Sequence, residues 1–116
     1  MAKYQGSCHC GRIAFEVEGE IGQVFDCNCS MCRRRGGLLA AFPREALTLT
    51  TPEADLSTYR FNRKAIDHHF CANCGIAPFS EGKGRDGAAM AMVNVRCLPE
   101  VELGTLQVLA VDGASH

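Results

Sequence analysis

The chain has 116 residues, 47% of them apolar, with 12 basic and 13 acidic side chains and a net charge of −1. That length suits one domain without a separate linker, so a single domain over residues 1–116 is expected. No apolar run reaches the roughly eighteen residues of a spanning helix, and the mixed charge argues against a general nucleic-acid footprint. "MAKYQGSCHC" carries no hydrophobic signal core, so the expectation is a soluble cytoplasmic protein with neither membrane nor nucleic acid as partner.

In chain order, "RIAFEVEGE" (12–20) alternates Ile13, Phe15 and Val17 with polar neighbours, which predicts a half-buried strand ended by Gly19 and Gly22. "QVFDC" predicts a second strand leading into a cysteine-rich loop. "GLLAAF" (37–42) reads as a core strand stopped by Pro43, and "PREAL" as one helical turn. "EALTLT" and "LSTYRF" predict strands separated by a turn around "TPEAD". "AIDHHF" leads into "CANCG". A polar loop is expected over "EGKGRDG" (81–87), and "AAMAMVNV" and "TLQVLAV" supply the last strands. Met90 and Met92 share a strand face and are expected in the core. No segment has a long 3.6-residue apolar period, so the expected class is mainly β.

Eight cysteines are far more than a chain this short ordinarily carries. They fall into close clusters: Cys8 and Cys10, then Cys27, Cys29 and Cys32, then Cys71 and Cys74. Such near neighbours make strained disulfides but converge readily on one ion about 2.3 Å from each sulfur. "FCANCG" is a zinc-knuckle turn in which the glycine accepts a positive φ. In an extended "CHC", Cys8 and Cys10 face the same way while His9 points aside. Two plus two closes a four-cysteine zinc site. Cys27, Cys29 and Cys32 hold a second ion with one position open, the pattern of a catalytic zinc. Alternatively Cys97, His68 or His69 fills that position and the second site is structural too.

The remaining candidates are less specific. Arg33, Arg34 and Arg35 could offset the net charge of a three-thiolate site and attract carboxylates, or could form a solvated basic turn. Asp26 and Asn28 could orient the ligands or be ordinary turn residues. His68 and His69 face opposite sides of a strand; surface or hydrogen-bonded roles fit them better than metal binding. Cys97 reads as a small buried hydrophobe.

The order C-x-C, "CNCSMCRR", "FCANCG" resembles the glutathione-dependent formaldehyde-activating enzyme family, which includes the centromere-protein-V-like proteins. The similarity runs from "GSCHCGRIAFEV" through "VNVRCL". It implies a β-tent, Mss4-like zinc-binding fold with short antiparallel sheets. It assigns Cys8, Cys10, Cys71 and Cys74 to a structural zinc, and Cys27, Cys29 and Cys32 to a catalytic one. The activity it implies is a carbon–sulfur lyase that joins glutathione, or a similar small thiol, to an aldehyde as S-(hydroxymethyl)glutathione. The alternative is a non-catalytic zinc-binding module that binds a protein or carries a thiol adduct.

Overall fold

The computed structural model describes residues 2–61, 65–84 and 86–115. Its strands are β1 (Lys3–Ser7), β2 (Ala14–Glu18), β3 (Gln23–Cys27), β4 (Leu39–Pro43), β5 (Leu47–Leu49), β6 (Leu56–Tyr59), β7 (Asp67–Cys71), β8 (Phe79–Lys83), β9 (Ala89–Asn94) and β10 (Gln107–Val111). The α-helix among the described residues, α1 (Ser30–Arg35), lies between β3 and β4. The mainly β expectation holds. β1, β2 and β5 form one antiparallel sheet, and the other strands form a second in the order β10-β3-β4-β9-β8-β7-β6. Every pairing is antiparallel except β10 with β3, which is parallel and sets Val111 beside Cys27.

The predicted alternation decides how the sheets pack. Ile13, Phe15 and Val17 are fully buried and face Val24, Ala40, Phe42, Phe79, Ala91 and Val93 of the larger sheet in one core. Phe15 and Phe79 meet between the sheets with ring centroids 5.5 Å apart. Full burial of side chains of this size contributes roughly 1.5–3 kcal/mol each in transfer free energy.

Several elements differ from expectation. The strand in "RIAFEVEGE" covers only Ala14–Glu18, because the chain before it bends to bring Cys8 Sγ within 3.3 Å of the Ile13 amide. "GLLAAF" alternates rather than being buried throughout: Ala40 and Phe42 face the core, while Ala41 is exposed. "PREAL" does make a short turn, a 3-10 turn over Arg44–Ala46, which shortens β5 to three residues. The expected loop at 81–87 is too long. β8 continues to Lys83 because Glu81, Gly82 and Lys83 pair with Ala91, Met90 and Ala89. Glu81 is further held by Arg44 and by His69 Nε2 at 2.5 Å. Met90 and Met92 are not core residues: Ala91 and Val93 take the buried face of β9, leaving both methionines half-buried on the opposite side.

Candidate metal centres

The first cluster forms where the two sheets meet. Cys8 and Cys10 follow β1, Cys71 ends β7, and Cys74 sits in the turn after it. Their four sulfurs lie within 4.8 Å of one another. Cys8 and Cys10 sulfurs are 3.7 Å apart and those of Cys10 and Cys71 3.6 Å apart. Four sulfurs about 2.3 Å from a tetrahedral ion would be separated by about 3.8 Å, so the group is shaped for zinc without rearrangement. The turn is built for this: the Cys74 amide donates to Cys71 Sγ at 3.4 Å and the Gly75 amide to the Cys71 carbonyl at 2.8 Å. Gly75 takes a φ of 81°, a conformation that side chains with a Cβ resist.

Amides tune these thiols. The Ile76 and Cys10 amides pull the Cys74 pKa down to about 6, and the Asn73 side chain with the Arg12 amide lowers that of Cys10. Burial pushes Cys8 up.

The second cluster is local in sequence. β3 delivers Cys27, and Cys29 caps α1 by accepting the Cys32 amide on its sulfur at 3.3 Å. The Cys29 amide approaches Cys27 Sγ at 3.5 Å. The segment expected as a loop is therefore a helical turn, fixed by its own thiols. All three cysteines are half-buried and their sulfurs lie within 4.8 Å of one another. Burial first, then the Cys29 thiol, raises Cys32 to about 12. Burial also opposes ionisation of Cys29, but the Cys32 amide and the neighbouring thiols outweigh it and lower the Cys29 pKa.

No fourth ligand from the described residues joins this group. Cys97 is buried, and its pKa is pushed up to about 11 by burial and by the nearby Cys8 and Cys74 thiols; it adjoins the four-cysteine cluster instead. His69 faces the core, bonded to Thr58 Oγ1 at 2.9 Å and to Glu81, with Phe79 packed at 5.0 Å. His68 faces the other side and stacks on Phe61 at 5.2 Å. Both histidines are buried, so the surface role does not apply. Hydrogen bonding does hold for His69.

Asn28 orients backbone rather than metal ligands. Its side chain donates to Asp112 Oδ1 at 3.0 Å and accepts the Ala114 amide at 2.9 Å. The Asn28 amide donates to the Val111 carbonyl at 3.0 Å. These bonds lay the 112–115 segment against the open cluster so tightly that a Cβ on Gly113 would stand 2.6 Å from Cys27 Sγ. Sequence reasoning missed this contact, for which "VDG" was the sole local hint. Asp26 is exposed. A separate cavity of about 390 Å³, lined by residues including Tyr4, Ile21, Glu100 and Leu106, contains no thiol, imidazole or cation.

Residues 3–107 match the family model for glutathione-dependent formaldehyde-activating enzyme. The chain belongs to that family. A Halomonas elongata protein, provisionally named a glutathione-dependent formaldehyde-activating enzyme, is 33% identical over 82 residues. The match takes in 63% of this chain and 52% of that protein, so this chain spans about half the length of that curated relative. A crystal structure of a Rhodobacter sphaeroides protein superposes with a TM-score of 0.77 at 32% identity, covering 90% of this chain and 99% of that one. Family and fold agree with the reading of the two cysteine clusters as sites compatible with zinc. No helix among the described residues is long and apolar enough to cross a membrane.

Proposed function

We propose that this chain is one zinc-binding unit over residues 1–116 that uses two zinc ions unequally. Cys8, Cys10, Cys71 and Cys74 hold a structural ion, and Cys27, Cys29 and Cys32 hold one with an exchangeable position. The function is that of a carbon–sulfur lyase acting on a glutathione–aldehyde adduct. The observation that carries this reading is the three-thiol cluster without a fourth ligand among the described residues, in a chain of this family.

Zinc held there supplies a Lewis-acidic position that favours a bound sulfur as its thiolate. The chain's own groups do the rest. Cys29 fixes the mouth of α1 through the Cys32 amide, keeping the three thiols convergent. Arg33, Arg34 and Arg35 follow in the last turn and offset the negative charge of three thiolates. In the synthetic direction the glutathione sulfur attacks the formaldehyde carbon, a C–S bond forms and the thiol proton ends on oxygen. The lyase direction breaks that bond and returns the proton to sulfur.

A second reading, a non-catalytic carrier of the thiol adduct, is favoured by one feature. Among the described residues no carboxylate or imidazole ligand atom lies within 4.8 Å of all three thiols, leaving solvent to move the proton. Exchange NMR separates the two. An enzyme accelerates exchange between formaldehyde and S-(hydroxymethyl)glutathione, and Cys29→Ser abolishes the acceleration. Exchange at the uncatalysed rate with zinc-loaded protein would leave only the carrier reading.

A further inference from the structure

The residue between the first two thiols of the open cluster holds the segment that follows β10. Asn28 directs its amide and both polar atoms of its side chain at that segment. The amide donates to the Val111 carbonyl at 3.0 Å, Nδ2 donates to Asp112 Oδ1 at 3.0 Å, and Oδ1 accepts the Ala114 amide at 2.9 Å. Ser115 Oγ donates to Asp112 Oδ2 at 2.7 Å and closes the segment on itself, with a 3-10 turn over Gly113–Ser115. The parallel pairing of β10 with β3 sets the turn in place, Val111 beside Cys27. None of residues 112–115 is buried. Hydrogen bonds to Asn28, rather than core packing, therefore fix the turn, and it can be released without opening the core.

The turn stands at contact distance on one side of the thiols. A Cβ added to Gly113 would lie 2.6 Å from Cys27 Sγ, 3.2 Å from Cys29 Cβ and 3.7 Å from the Cys29 amide nitrogen. Not even one methyl group fits between the turn and the Cys27–Cys29 edge. The three nearest atoms belong to Cys27 and Cys29, and none to Cys32, so the Cys32 side is the less covered one.

We propose that residues 112–115 form a steric strap over the open centre, clasped by Asn28, that admits primary thiols and shuts out branched ones. A fourth sulfur completing the set stands about 3.8 Å from each of the other three, so the carbon it carries meets the turn. On a primary thiol that carbon bears one chain and two hydrogens, and the chain can leave along the Cys32 side. On a tertiary thiol all three staggered positions are filled, and one branch is pressed against Gly113. Asn28 is thus a positioning residue that acts through the strap. The proposal rests on the thiol-binding reading above and narrows its substrate class; glutathione, whose sulfur is on a CH2 group, falls within it.

Calorimetry on protein carrying two zinc ions tests the strap with N-acetylcysteine and N-acetylpenicillamine. These have the same charge and donor atoms and differ by two methyl groups on the carbon that bears sulfur. Wild type binds N-acetylcysteine about ten-fold or more tightly, the scale of forcing extra methyl groups into a close-packed site. Asn28→Ala unclasps the turn and narrows the ratio to about two-fold, by strengthening N-acetylpenicillamine. Because Asn28 stands between two of the thiols, Ala114→Pro supplies a second variant. It deletes the amide that Asn28 accepts, leaves residues 27–32 unchanged, and narrows the ratio in the same way. A merely structural role for these residues would weaken both thiols in parallel, and that result would overturn the strap. So would equal affinity for the two thiols in wild type; either outcome leaves the thiol-binding reading standing. Binding of neither thiol to the zinc-loaded wild type would overturn both.

Discussion

At the scale of single residues, chemistry is set by how each thiol is solvated. Cys74 and Cys10 face amides that stabilise a thiolate, whereas Cys32 is buried against Cys29 and holds its proton up to about 12. A metal can bind Cys32 at neutral pH only by displacing that proton, so affinity at the three-cysteine site rises with pH and falls on acidification. In the four-cysteine site burial raises Cys8, but two thiols are lowered, Cys74 to about 6 and Cys10 beside Asn73, so its competition with protons sets in at lower pH. A chromophoric chelator followed from about pH 8 to about pH 5 should therefore collect zinc in two steps, with the Cys27/Cys29/Cys32 ion released first. Release of both ions in one step would contradict the ranking. The cysteine identities were evident in the sequence because i, i+2 and i+3 spacings are local geometry. Their acidities were not, because they depend on the Ile76 amide, the Asn73 side chain and burial.

At the scale of elements, the strands carrying the period-two pattern were readable and the connections were not. "AFEVE" became β2 because its alternation alone determines a face. The extension of β8 to Lys83 depended on partners distant in sequence: β9 alongside, and Arg44 and His69 holding Glu81. The same limit hid the role of β10, whose parallel pairing with β3 delivers Gly113 to the open cluster. That contact carries its own prediction. Gly113→Ala places a methyl 2.6 Å from Cys27 Sγ, so either the 112–115 segment or the thiol triangle must shift. Chelator competition should show zinc affinity at the open site reduced about ten-fold or more, while the melting temperature barely moves because the segment is exposed. Unchanged affinity would mean that the segment yields freely and does not shape the site. α1 was also missed, since its start is a sulfur cap on Cys29 rather than a Ser, Thr, Asp or Asn signal.

At the scale of the whole molecule, the two clusters differ by what they join. Cys8 and Cys10 leave the smaller sheet, Cys71 ends a strand of the larger and Cys74 sits in the turn after it, so an ion bound by these four ties both sheets across the Phe15–Phe79 contact. Cys27, Cys29 and Cys32 span one strand end and one helical turn, so an ion there can exchange without opening the core. The division into two clusters was readable from spacing. Cys97 as a buried side chain and the histidines as non-ligands were readable too, but the burial of both histidines was not, because β7 covers His69 with Thr58, Glu81 and Phe79 and His68 with Phe61. The central claim is one site closed by sulfur and one open to substrate thiolate, and zinc K-edge absorption on protein carrying two zinc ions tests it most directly. The four-cysteine and three-cysteine groups predict seven sulfurs and one light atom shared between the two ions. One equivalent of glutathione should replace the light atom with an eighth sulfur. A spectrum already all sulfur before glutathione, or one that glutathione leaves unchanged, would contradict the account.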